Sequence, residues 1–203
     1  MTARVDHAVT SGTFSLDGET FDVDNNVWVV GDDAECVIID APHSVDDILA
    51  VVGDRKVRAI ICTHAHDDHV LVAPALREAT LAPILLHPDD RPLWELTHTD
   101  FLWDVDLSDE QTLTVAGAEI KVLHTPGHAP GAVCLHVPSL GCVFTGDTLF
   151  EGGPGATGRS YSDADQIVAS IRARLLTLPD DTVVHTGHGP DTTIGVEREG
   201  LDR

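Results

Sequence analysis

Thr63-His64-Ala65-His66-Asp67-Asp68-His69 puts three imidazoles and two carboxylates into seven residues, directly after the apolar run Val57 to Cys62. The step from His64 to His66 lets an extended turn aim both rings the same way, and Asp68 and His69 form a second pair. Three more candidates lie far along the chain, each in a glycine-flanked turn after an apolar run. They are His128 in Thr125-Pro126-Gly127-His128, Asp147 in Thr145-Gly146-Asp147-Thr148, and His188 in Thr186-Gly187-His188-Gly189. Neutral imidazoles and carboxylates hold a divalent metal in roughly three to five positions, so His64, His66, Asp68, His69, His128, Asp147 and His188 suit two ions sharing one carboxylate. The expectation is a two-metal hydrolase. A metal-free, histidine-rich polar loop is the competing reading, and the distant turns weigh against it.

Outward from this loop, β-type runs recur at Phe21 to Val23, Val27 to Val30, Val37 to Ile39, Val57 to Cys62, Pro83 to Leu86, Thr112 to Val115, Ile120 to Leu123, Val133 to Val137, Val143 to Thr145 and Thr182 to His185. Ser44-Val45-Asp46-Asp47 opens a helix with Val45, Ile48, Leu49 and Val52 on one face, closed by Gly53. Ser162-Asp163-Ala164-Asp165 repeats that start signal before Ile167, Val168, Ile171 and Leu175, with Pro179 at the exit. Asp68 to Ala79, interrupted by Pro74, and Asp89 to Thr97, with Pro92 near its start, are further helix candidates. Glu151 to Gly158 reads as a loop. Strands interspersed with helices imply helices enclosing stacked sheets, with each candidate ligand at a strand end.

With 203 residues and 42% hydrophobic composition, the chain can bury one large core, so 1–203 reads as a single domain. No apolar run approaches the ~20 residues that cross a bilayer, and the N-terminus does not resemble a secretion signal, so a cytoplasmic location is expected. Cys36, Cys62, Cys134 and Cys142 sit among apolar neighbours without Cys-x-x-Cys spacing, which predicts buried free thiols. A formal charge of −22 with only 12 Lys and Arg repels a phosphate backbone, excluding nucleic acid as the expected partner. No membrane partner is expected either.

The Thr-His-x-His-x-Asp-His loop, followed by separated His, Asp and His, resembles the signature of the metallo-β-lactamase superfamily over about Asp40 to Pro190. The later turns, including Thr145-Gly146-Asp147-Thr148-Leu149-Phe150, are similar to those of glyoxalase II-like thioester hydrolases. This resemblance implies an α/β fold, a four-layer αββα sandwich with metals at one edge of the sheets. It implies that His64, His66 and His128 bind one metal, that Asp68, His69 and His188 bind the other, and that Asp147 bridges them. The implied reaction is hydrolysis of a thioester, hydroxyacylglutathione-like or another acyl-thiol, by a metal-bridging hydroxide, with Asp68 orienting it. The cofactors are two divalent ions, zinc by default, with iron or manganese equally accepted by imidazole and carboxylate.

The chain ends 15 residues after His188, without the helical C-terminal extension of full-length glyoxalase II. A small acyl-thiol built on mycothiol or bacillithiol is therefore as well permitted as one on glutathione. Arg159 and Tyr161, after the glycine-rich loop, are candidates for substrate contact. Asp40 is a candidate to steady a ligand imidazole, or a plain strand-end turn residue. The other histidines fit no ligand pattern, and Trp28, Trp94 and Trp103 read as core, with the last two also candidate pocket walls. A persulfide dioxygenase with a single iron is the main alternative, echoed in Gly158-Arg159-Ser160-Tyr161. A lactonase and a non-enzymatic metal-binding module rank lower, since Phe150 stands where lactonases carry tyrosine and every ligand is retained.

Overall fold

The computed structural model describes residues 2–201; Met1, Asp202 and Arg203, the ends of the expected domain, lie outside the described residues. One sheet contains β1 (Arg4–Leu16), β2 (Glu19–Gly31), β3 (Glu35–Ile39), β4 (Lys56–Ile61), β5 (Ile84–Leu86) and β6 (Val105–Asp106), in that spatial order. Its first three strands are antiparallel neighbours, and β3 to β6 run parallel. The other sheet begins with β7 (Thr112–Val115), β8 (Ala118–His124), β9 (Val133–Val137) and β10 (Cys142–Gly146). After a two-stranded ribbon of β11 (Leu149–Phe150) and β12 (Gly153–Pro154), β13 (Val183–Thr186) and β14 (Thr192–Thr193) complete it in the order β14-β13-β10-β9-β8-β7.

The period-2 pattern of β2 explains the layering. Val27 and Val29 pack with Ile48, Leu76 and Trp94 on the helix side, whereas Trp28 and Val30 enter a core with Ile120, Leu135 and Phe144 of the other sheet. A third core joins Val143 and Val184 to Ile167, Ile171 and Ile194. Three cores separate four layers, so the chain is an αββα sandwich, as expected. The helices are α1 (Val45–Val52), α2 (Asp67–Val70), α3 (Ala73–Thr80), α4 (Arg91–Thr97), α5 (Ala164–Ser170) and α6 (Ile194–Leu201). Burying one large aliphatic side chain such as Ile48 or Ile171 stabilises such a core by roughly 1.5–3 kcal/mol.

Both capped helices form as the sequence predicts. Ser44 Oγ accepts from Asp47 N at 3.2 Å, and Asp163, rather than Ser162, caps α5 by accepting from the Asp165 and Gln166 amides. Elsewhere the structure departs from expectation. Phe21 to Val23 and Val27 to Val30 belong to one 13-residue strand that pairs along its whole length with β1, a strand the periodicity does not reveal. The helix expected over Asp68 to Ala79 is two short helices, with Pro74 in the first turn of α3, where its missing N–H costs nothing. The Asp89 to Thr97 candidate is a 3₁₀ turn, Pro88–Asp90, leading into α4. The Glu151 to Gly158 loop includes β12.

All four cysteines are buried and free. Trp94 is fully buried and donates from Nε1 to the Phe101 carbonyl. No helix among the described residues is long and apolar enough to cross a membrane.

Candidate metal centre

The C-terminal ends of β4, β8, β10 and β13 open on one edge of the sandwich, and all seven candidate ligands follow them. His64 and His66 follow β4, His66 in extended backbone, and α2 then carries Asp68 and His69 on the next turn. His64 Nε2 lies 3.0 Å from His66 Nδ1, which lies 2.9 Å from His128 Nε2. His69 Nε2 lies 3.2 Å from His188 Nε2, and Asp68 Oδ2 lies 3.3 Å from the latter. Asp147 joins the two groups: its Oδ2 is 3.5 Å from both His128 Nε2 and His188 Nε2, and its Oδ1 is 3.3 Å from His69 Nε2.

The far nitrogens fix the rings. His64 Nδ1 meets Thr63 Oγ1 at 3.1 Å, whose own hydroxyl donates to Asp40 Oδ2. His128 Nδ1 donates to the Ala156 carbonyl, His188 Nδ1 to the Asp24 carbonyl, and His69 Nδ1 to Asp40 Oδ2 at 2.9 Å. Each bond leaves Nε2 facing the centre, the arrangement that orients histidine toward a metal. Asp40 stands just past β3 with a positive φ of 63°, and its carboxylate ties His69 to the Thr63 amide and hydroxyl, as expected of a residue that steadies an imidazole.

Charge divides the site in two. Burial, reinforced by the neighbouring imidazoles, lowers His64 well below the usual histidine range and His66 to about 3. These rings are neutral and present lone pairs to one another. Burial also opposes charge on His69 and His188, but Asp147 and Asp68 outweigh it, with Asp40 adding to the effect on His69. They carry His69 well above its ordinary value and His188 to about 10. Asp147 is held well below the carboxylate range: burial raises it, but His69 and His188 prevail. In the metal-free chain, protons thus supply the positive charge that the second group requires.

These residues fit a pair of divalent cations. Among the described residues, the buried Asp147 Oδ1, which lies between the two groups, makes no hydrogen bond, an arrangement that a polar site seldom tolerates without a further ligand. The first cation would be held by His64 Nε2, His66 Nδ1 and His128 Nε2, the second by Asp68, His69 and His188, with Asp147 reaching both. Gly187 makes the approach possible, because a Cβ there would stand 2.3 Å from Asp147 Oδ1. His87, Asp89 and His124 also come within ligating distance of one another. However, the two rings stack at 12°, 4.0 Å apart, so no ion can lie in both ring planes, and His124 Nε2 faces the Pro130 carbonyl at 2.9 Å.

Three supporting residues escape the sequence reading. Asn25, fully buried, donates from Nδ2 to Asp68 Oδ2 at 3.1 Å while its Oδ1 accepts from His43 Nε2. Asn26 donates to the carbonyls of Thr186 and Gly189, on either side of His188. Asp90, pushed up to about 7 by burial, accepts from the amides of Ala65 and Gly131. No sequence signal marks them: Asn25 and Asn26 fall between two β-type runs that only the structure joins into one strand.

A cleft of about 450 Å³ opens beside the ligands, walled by Phe14, Phe21, Val23, Ala156 and Arg159. The Arg159 guanidinium lies 4.7 Å from the Phe21 ring centre and pairs with Glu19 at 2.9 Å. Tyr161 is 47% exposed and stands outside the cleft lining, as do Trp94 and Trp103.

Comparison with known proteins agrees with this geometry. The model of the metallo-beta-lactamase superfamily matches residues 20–188. Hydroxyacylglutathione hydrolase GloC of Haemophilus influenzae is 32% identical over 187 residues, covering 85% of this chain and 87% of that protein. Among solved structures, the BLEG-1 B3 metallo-beta-lactamase superposes with a TM-score of 0.80 at 30% identity, covering 94% of this chain and 97% of that one. TTHA1623 in a di-iron-bound form superposes with a TM-score of 0.78 at 33% identity, covering 94% and 98%.

Proposed function

The chain belongs to the metallo-β-lactamase superfamily, and from that membership we propose that it is a binuclear metal-dependent hydrolase of small acyl-thiols. The observation that carries this reading is Asp147, whose two oxygens lie between the His64–His66–His128 group and the Asp68–His69–His188 group. When bound, a pair of divalent ions supplies a water ionised near neutral pH and polarises the carbonyl under attack. Zinc, iron and manganese all suit the donor set.

The chain's own residues prepare that chemistry. Asn25 holds Asp68 by one oxygen, and Asp68 lines the cleft, where its carboxylate orients the attacking water and receives its proton. Phe14, Phe21 and Val23 exclude bulk water and receive the apolar part of the substrate. Arg159 is the cation on the cleft wall and faces the carrier end of the acyl-thiol; Tyr161, two residues on, is exposed outside the cleft lining. The GloC relative supports a hydroxyacyl-thioester, and the charge of −22 disfavours a polyanionic partner. A cytoplasmic protein without nucleic-acid or membrane partners is consistent with these features.

The test is a panel of thioesters, lactones and β-lactams offered to protein loaded with zinc, iron or manganese, with oxygen uptake measured on a persulfide. Release of free thiol without oxygen uptake is expected. Oxygen consumption on the persulfide without thioester cleavage would instead identify a dioxygenase.

A further inference from the structure

The three imidazoles of the first metal position come from different sheets: His64 and His66 follow β4, whereas His128 follows β8. One side chain touches both ligand-bearing segments. Asp90 ends the 3₁₀ turn before α4, and its Oδ2 accepts from the amide of Ala65, the residue between His64 and His66, at 2.8 Å. Its Oδ1 accepts at 2.5 Å from the amide of Gly131, three residues past His128. Asp90 is fully buried and has no cationic partner among the described residues. Gly131 permits the approach, because a Cβ there would stand 2.7 Å from Asp90 N and 2.9 Å from its Oδ1.

A buried carboxylate without a counter-charge is costly, and its retention here is spent on two backbone donors that need two acceptors. An asparagine in the same pose would set its amide nitrogen, a donor, against one of the two N–H groups, which meet different oxygens of Asp90. The second metal position has its own supports: Asp40 on His69, Asn25 on Asp68 and the Asp24 carbonyl on His188. Asp90 touches none of these. We infer that Asp90 is a positioning residue that sets the spacing of His64 and His66 against His128, and so selectively governs metal affinity at the first position. This inference rests on the two-metal reading above.

The experiment is cobalt(II) titration against a competing chelator, followed by visible absorption, on the full chain, Asp90→Asn, Gly131→Ala, and each of these combined with His188→Ala. The wild type should bind two equivalents, and His188→Ala should retain the first. Asp90→Asn should weaken one of the two affinities by at least about 10-fold and leave the other within about twofold, and in the His188→Ala background the weakened affinity should be the one that remains. Gly131→Ala, which displaces the carboxylate without changing charge, should repeat the pattern if Asp90→Asn does not fold. Wild-type affinities in both variants, or equal weakening at both positions, would overturn the inference. A wild type that binds no cobalt at these ligands removes the two-metal reading and this inference with it.

Discussion

Asp40 Oδ2 stands 2.9 Å from His69 Nδ1, and the same oxygen accepts from Thr63 Oγ1, which in turn meets His64 Nδ1. One carboxylate therefore orients a ring in each metal group, directly in one case and through a hydroxyl in the other. Outer hydrogen bonds of this kind typically contribute 10- to 100-fold in metal affinity. Asp40→Ala should weaken the second metal position by about 10–100-fold and the first by less, read by chelator competition. Equal affinities in variant and wild type would remove Asp40 from the site.

Gly187 is the sharpest steric probe. A methyl group at this position meets Asp147 Oδ1 at 2.3 Å and His69 Cε1 at 2.9 Å, so it must push the bridging carboxylate away. Displacements near 1 Å in a reacting geometry cost on the order of 100-fold in rate. Gly187→Ala should lose that much turnover and part of its bound metal while keeping the circular dichroism of the wild type. Full activity in this variant would show that Asp147 does not need its observed place.

The seven residues that the structure gathers as candidate ligands were legible in the sequence because each lies in a short segment with its own local signature, after a strand that announces itself by apolar periodicity. Asp90, Asn25 and Gly131 carry no such signature, since their work depends on neighbours distant in the chain, such as Ala65 for Asp90 and His43 for Asn25. The strand β1 was hidden because its Thr, Ser and Gly residues lie at a partly exposed edge, where the period-2 pattern is weak. In β2, Asp24-Asn25-Asn26 looks like a break between two strands. The backbone continues because Asn25 and Asn26 are satisfied by the segments that carry the candidate ligands, and exposed Asp24 by Ser11 of β1.

Proton competition follows from the charge division of the site. His69 and His188 are raised by Asp147 and Asp68 against the effect of burial, so their contribution to metal-free stability is complete below about 6.5, the ordinary histidine value. It is lost as pH rises through the folded values, about 10 for His188. Asp90, raised to about 7 by burial, acts with the same sign at lower pH, its contribution fading as pH passes 7. The melting temperature of chelator-treated protein should fall between pH 7 and 10, while metal affinity rises over the same interval. Loading at pH 7.5 in weak buffer should release about two protons per chain from His69 and His188, beyond the one that ionisation of a metal-held water supplies. Release of no more than one proton would contradict the assignment of His69 and His188.

Arg159 and Tyr161 separate by position. Arg159 lines the cleft over Phe21, whereas Tyr161 faces solvent. Arg159→Ala should raise KM for an acyl-thiol substrate about tenfold, corresponding to about 1.4 kcal/mol. Tyr161→Phe should change KM by no more than about twofold, as exposed substitutions usually do. Steady-state kinetics of the two variants decides this, and a larger effect from Tyr161→Phe would move the substrate contact to the rim.

The most direct test of the two-cation centre is anomalous diffraction from metal-loaded crystals, collected on both sides of the metal absorption edge. Two peaks roughly 3.5–4 Å apart are expected, as in other binuclear hydrolases, one among His64, His66 and His128, the other among Asp68, His69 and His188, with Asp147 reaching both. A single peak at full occupancy, with the Asp147 carboxylate turned away from either group, would contradict the account.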